Sequence, residues 1–93
     1  MELLMEHCLP YCDFESPDCT MRVYVEDVEE DKLVWHKDPK HVYFKVIGGR
    51  DWKLMMEKFS PMELEIGKSY YIPREVMHKM VKGKNNLILE LHK

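Results

Sequence analysis

From Met21 onward the chain is written in short strand-length phrases separated by turn residues. "MRVYVEDV", "LVWH", "HVYFKVI", "WKLMMEKF", "MELEI", "YYIP", "MHKMV" and "LILELH" concentrate valine, isoleucine and aromatic residues, while glycine, asparagine, aspartate and proline fill the gaps. Branched and aromatic side chains suit a pleated, half-buried surface, and the gap residues supply the backbone angles of turns. No sustained helical period follows residue 20. Roughly six to eight short strands at this spacing predict an all-β sandwich or barrel. "GGRD" and "KGKNN" have the composition of hairpin loops, because glycine and asparagine tolerate positive φ. The acidic stretch Glu26 to Lys32 reads as a solvated turn that discourages edge pairing.

Residues 1–20 lack this pattern and are broken by Pro10 and Pro17. They are expected to form an N-terminal arm, of structure the sequence does not define, ahead of a barrel over residues 21–93. A chain of 93 residues is one small domain, and such a domain buries only about 60–65% of its unfolded surface. A second subunit or a metal is the usual support for so small a core. Exposed edge strands point the same way, towards a homodimer in which the arm crosses between subunits.

The net charge of −3 and the dispersed lysines give no phosphate-binding surface, so nucleic acid is not an expected partner. No apolar run approaches the roughly 18–20 residues of a membrane span. Glutamates stand near the start where a signal peptide would carry lysines, so a cytoplasmic protein is expected. No phosphate-cradling glycine loop and no serine–histidine–acid order is present, which argues against nucleophilic hydrolysis.

Three of the five histidines, His36, His41 and His78, fall at strand ends beside turns. Imidazole is the commonest metal-binding side chain, and three converging rings leave coordination positions open. The mouth of a barrel is a natural place for such convergence. "HKDPKH" suits a strand–turn–strand arrangement that carries His36 and His41 to one end of adjacent strands. Strand parity raises a conflict, however, because residues two apart share a face. An inward His41 would bring Tyr43 and Lys45 inward, whereas Val42, Phe44 and Val46 form the cleaner apolar face. A bulge after His41, a pocket-facing Lys45, or an outward His41 would each resolve it.

From Leu33 to Leu91 the chain resembles a small single-domain cupin, a double-sheet jelly roll whose barrel commonly holds one metal ion. One cupin motif runs glycine, five residues, proline, one residue, glycine, two residues, histidine. Gly67, Pro73 and His78 stand in register with it, and Glu75 replaces the second glycine. Lys82 stands where the motif continues with asparagine. The other motif runs histidine, one residue, histidine, three or four residues, glutamate, six residues, glycine. Here Val34 replaces the first histidine, His36 matches the second, His41 falls at the glutamate and Gly48 at the glycine.

The resemblance implies a jelly-roll barrel with one divalent transition metal, iron, zinc, nickel, copper or manganese, on His36, His41 and His78. Three neutral ligands would leave the ion its full charge and favour an anionic ligand. Tyr43 and Lys45 are pocket candidates. The function implied is a metal-dependent enzyme, an oxygenase, isomerase or lyase, on a small polar or anionic metabolite. The alternatives are a non-catalytic small-molecule-binding or sensing module, and a degenerate barrel used for assembly. His7, Cys8, Cys12 and Cys19 are a second candidate metal set, although only Cys8 and Cys12 have the spacing of a zinc knuckle. An odd number of cysteines argues against a complete disulfide framework.

Overall fold

A computed structural model describes residues 10–92. Eight strands run in chain order: β1 Cys12–Glu15, β2 Cys19–Tyr24, β3 Val42–Arg50, β4 Lys53–Met56, β5 Met62–Glu63, β6 Ser69–Ile72, β7 His78–Val81 and β8 Lys84–His92. All neighbours pair antiparallel, in a five-stranded sheet ordered β1-β2-β8-β3-β6 and a three-stranded sheet ordered β5-β4-β7. The described residues contain no α-helix, and Glu30–Lys32 of the acidic stretch form a single 3-10 turn without buried residues. The protein is therefore all-β, a double-sheet jelly roll.

The arm expected to end at residue 20 is in part sheet. β1 pairs with β2 in the register Cys12 to Val23 and Glu15 to Thr20, and the boundary at residue 20 falls inside β2. Arg22 and Asp13 face each other in that pair and are joined by two hydrogen bonds of 2.8 and 3.0 Å.

The core lies between the sheets and follows the alternation of the strands. Phe44 and Val46 of β3 and Leu87 and Leu89 of β8 are buried, while Tyr43 and Ile47 are exposed on the outer face. Lys45, also outward, is paired in register with Glu90, an opposite-charge cross-strand pair. Trp52, fully buried, packs its ring 5.8 Å from that of Tyr24 and donates its indole N–H to the carbonyls of Lys84 and Asn85. It both fills the core and satisfies the start of β8.

The two expected hairpin loops differ from expectation. Gly48 and Gly49 lie within β3, where the pairing with β8 shifts register on either side of Gly48. A Cβ on Gly49, whose φ is +108°, would stand 2.8 Å from the Leu87 Cα. Here the glycine serves a bulge that brings two strands close, not a turn. "KGKNN" contributes only Lys82 and Gly83 to a connection, and that connection passes from one sheet to the other, from β7 to β8.

Candidate metal centre

Backbone pairing places His36 and His78 side by side. His36 lies outside the strands but forms an isolated bridge with His78, with N–H···O bonds of 2.9 and 2.8 Å in both directions. Their ring centroids are 4.2 Å apart. Each ring is fixed in the same manner, by its own backbone two residues upstream. His36 Nδ1 lies 3.0 Å from the Val34 carbonyl and His78 Nδ1 lies 2.9 Å from the Val76 carbonyl. A carbonyl only accepts, so both Nδ1 atoms carry a proton, which leaves Nε2 as the ligand position of each ring. Val34, which stands at a histidine position of the cupin motif, thus supplies a carbonyl that orients its neighbour.

The third member is Asp38. Among the described residues, His36, Asp38 and His78 form a group whose ligand atoms all lie within 4.8 Å of one another. Asp38 Oδ2 is 3.4 Å from His78 Nε2. Pro39 biases Asp38 towards an extended conformation, which continues the two-residue alternation from His36. The Asp38 carbonyl also accepts the Glu75 N–H at 2.7 Å, so the turn after β6 anchors the loop. Glu75, the residue at the second glycine of the motif, has φ of +64°. The left-handed turn is kept although its side chain is no longer glycine, at a cost of about 1 kcal/mol.

The donor set fits a transition metal. Burial holds the His78 imidazole below its ordinary pKa and nearby His36 adds to this, against opposing effects of the Val76 hydrogen bond and Asp38. A bare Nε2 and a carboxylate oxygen 3.4 Å apart are two acceptors with no proton between them, an arrangement a cation relieves. Ligand atoms around a tetrahedral or octahedral ion stand about 3 to 3.5 Å apart, so this edge already has the span of a coordinated pair. Two histidines and one carboxylate with open positions suit iron(II), and imidazoles also suit zinc, copper and nickel.

The His78 shift has a consequence for the metal-free protein. In the unfolded chain this imidazole protonates near pH 6.5, whereas the folded ring stays neutral to lower pH. As pH falls below about 6.5 the unfolded state binds the proton first, so stability declines down to the folded pKa and then ceases to depend on this group. Urea unfolding of metal-free protein at pH 7.5, 6.5 and 5.5 should show this slope, and His78→Gln should reduce it. An equal slope in both proteins would contradict the assignment.

His41 does not join the group. Its Nδ1 accepts the Arg74 N–H at 3.1 Å and lies 2.8 Å from the Tyr71 hydroxyl. The ring belongs to an exposed aromatic row with Tyr71 and Tyr43, whose own centroids are 4.7 Å apart. The parity conflict is resolved by an outward His41, with Tyr43 and Lys45 outward beside it. Neither of these pocket candidates lines the pocket at His36 and His78. In the second candidate set, His7 and Cys8 lie outside the described residues. Cys12 and Cys19 are free thiols set in register with Val23 and His92, towards opposite ends of the β1–β2 pair, and are not brought together.

The pocket itself lies between the sheets. His36, Asp38, His78 and Met80 form one side, and Arg22 and Tyr24 of β2 with apolar Phe44 and Leu89 form the other. Burial pushes the Tyr24 phenol up to about 12, so it is protonated at neutral pH. Free space at the bottom amounts to ≈ 20 Å³ for the centres of water-sized groups, enough for a water or two.

No family model matches the sequence, and no curated protein matches it either. Solved structures do. An RmlC-like cupin family protein with a double-stranded β-helix fold, from Methanocaldococcus jannaschii, superposes with a TM-score of 0.65 at 14% identity, covering 98% of this chain and 85% of that one. A chain from the crystal structures of the DMSP lyases RdDddP and RnDddQII gives a TM-score of 0.67 at 16% identity, over 78% of this chain and 35% of that one. HppE in its FeII form with substrate gives 0.63 at 14% identity, over all of this chain and 57% of that one. This chain therefore spans about a third of the lyase chain and little more than half of the HppE chain. The fold is that of a small cupin, and it carries a His/Asp/His group able to receive a metal.

Proposed function

We propose that the protein is a small metal-dependent enzyme of the cytoplasm, binding one divalent transition ion through His36, Asp38 and His78 and acting on a small polar or anionic metabolite. The observation that carries this reading is that ligand atoms of His36, Asp38 and His78 all lie within 4.8 Å of one another, with both histidine Nδ1 atoms turned to backbone carbonyls. Such a bound ion supplies Lewis acidity and open coordination positions, and iron(II) also supplies an electron for dioxygen chemistry. One carboxylate and two neutral rings would leave a divalent ion with net charge of about +1, a centre that attracts an anionic oxygen. Phe44, Met80 and Leu89 line the pocket beside the group, and apolar walls strengthen that attraction. Likeness to structures named as a lyase and as FeII HppE agrees with this chemistry.

Reconstitution with iron(II), zinc, nickel, copper or manganese, followed by elemental analysis and a screen for oxygen uptake and for isomerase and lyase turnover, tests the reading. About one equivalent of metal with turnover supports it. Retention of no metal sinks it. The limited free space beside the ligands, ≈ 20 Å³, favours one second reading, a binding or sensing module, for which metal and ligand binding would occur without turnover.

The proposed homodimer would use the outer side of the five-stranded sheet, where Phe14, Tyr43, Ile47 and Tyr71 are exposed. Sedimentation should give a dimer for the native chain and a monomer for Tyr71→Glu. A native monomer at micromolar concentration would remove the dimer from the account.

A further inference from the structure

Among the described residues, Arg22 is the one lysine or arginine that lines the pocket with His36, Asp38 and His78. An arginine pointing between two sheets requires a reason, because a charge loses hydration there and must be compensated. Part of the compensation is visible. Asp13, its cross-strand neighbour, takes the Nε proton at 2.8 Å and one Nη2 proton at 3.0 Å. The Tyr11 ring lies against the guanidinium, 3.9 Å from the Cζ to its centroid, and Tyr24 lines the same pocket.

These contacts hold the guanidinium in one orientation without exhausting it. The group has five N–H donors in a fixed fork. Asp13 occupies the side-on edge formed by Nε and Nη2. Even with one donor given to Tyr24, two are left over for a ligand. Arg22 is 24% exposed in its side chain, as expected of a group that both packs and remains reachable.

We propose that Arg22 is the specificity-determining residue of the pocket and that it binds the carboxylate of a small organic acid, held against Tyr11 and positioned by Asp13. The planar fork matches a carboxylate better than a point charge does. The inference deepens the proposed function and rests on it for the other end of the molecule, where an oxygen would meet the metal on His36, Asp38 and His78. A neutral analogue is disfavoured because its hydrogen bonds to the remaining guanidinium donors lack the charge assistance a carboxylate brings. The pocket's small free volume, ≈ 20 Å³ for the centres of water-sized groups, restricts the ligand to a small acid.

The test is calorimetric titration of metal-free and zinc-loaded protein with acetate, glycolate and malonate, with acetamide as the uncharged control. At least one carboxylate should bind the native protein, and acetamide should not. Arg22→Met should weaken that binding by about 10- to 100-fold, the loss expected for hydrogen bonds to a charged group. Asp13→Asn breaks the same ion pair but leaves the guanidinium fork, so its loss should be clearly smaller than that of Arg22→Met. Zinc stoichiometry should be unchanged in both variants. Should Arg22→Met not fold, Arg22→Lys retains charge without the fork and should still lose at least about fivefold.

Equal loss in Arg22→Met and Asp13→Asn would show that the pair only holds the β1–β2 hairpin, and would overturn the inference. So would carboxylate affinity indifferent to Arg22, or equal binding of acetamide. If no zinc binds but carboxylate affinity still depends on Arg22, the metal reading falls and the Arg22 assignment stands.

Discussion

A His78→Ala protein is expected to bind a divalent transition metal at least about 100-fold more weakly than the native chain. His78 is the only buried member of the ligand group, 3% exposed. Its Nε2 lies 3.4 Å from the Asp38 carboxylate, and its Nδ1 bond to Val76 fixes the ring. Loss of a partner that only orients a ligand costs about 10- to 100-fold in affinity, and loss of the ligand itself must exceed that. Competition titration with a chromogenic chelator reads the change. The variant should still fold, because the backbone bonds between residues 36 and 78 do not involve the ring. An affinity within about threefold of native would mean that the metal sits elsewhere.

The largest loss of stability is expected from Trp52→Ala. The indole is fully buried, is the largest side chain in the core, and joins the two sheets through Tyr24. Removing an aromatic side chain from such a site costs about 3–5 kcal/mol, a large part of the roughly 5–15 kcal/mol of a typical domain. The Lys84 and Asn85 carbonyls would also lose their shared donor. A domain of this size loses roughly 4–8 °C in Tm for each kcal/mol, so thermal unfolding followed by circular dichroism should shift down by on the order of 15 °C or more. A shift of only a few degrees would show that Trp52 is not central to the core.

How much of this was legible in the sequence depends on which physical signal each residue carried. The alternation in "HVYFKVI" made Val42, Phe44 and Val46 the cleaner apolar face but left Tyr43 open as a pocket candidate; Phe44 and Val46 are buried and Tyr43 is exposed. The spacing from Gly67 through Pro73 to His78 resembled a cupin motif, and the fold is a cupin jelly roll. Even the substitution at Glu75 proved local, because its backbone holds the positive φ that the replaced glycine would favour. The glycine pair at residues 48–49 was misleading, since composition alone cannot distinguish a turn from a bulge with close strand approach.

The group of His36, Asp38 and His78 was only half legible. His41 occupies a motif position in sequence, but strand parity places it with Tyr43 on the outer face, bonded to Arg74 and Tyr71. Asp38 drew attention only as part of a turn. The usable signal was its place two residues after His36 and directly before Pro39, a combination that favours extended backbone and a shared face. Arg22 carried no such mark. Its partners Asp13 and Tyr11 lie in the irregular first twenty residues, and only the β1–β2 pairing brings them to it.

The ligand assignment comes down to a choice between Asp38 and His41. Elemental analysis of the native, Asp38→Ala and His41→Ala proteins, each loaded with iron(II) or zinc and freed of excess ion by gel filtration, tests it directly. About one equivalent should remain in the native and His41→Ala proteins and should be lost from Asp38→Ala. Metal kept by Asp38→Ala and lost by His41→Ala would contradict the His36, Asp38 and His78 site and return the third ligand to His41.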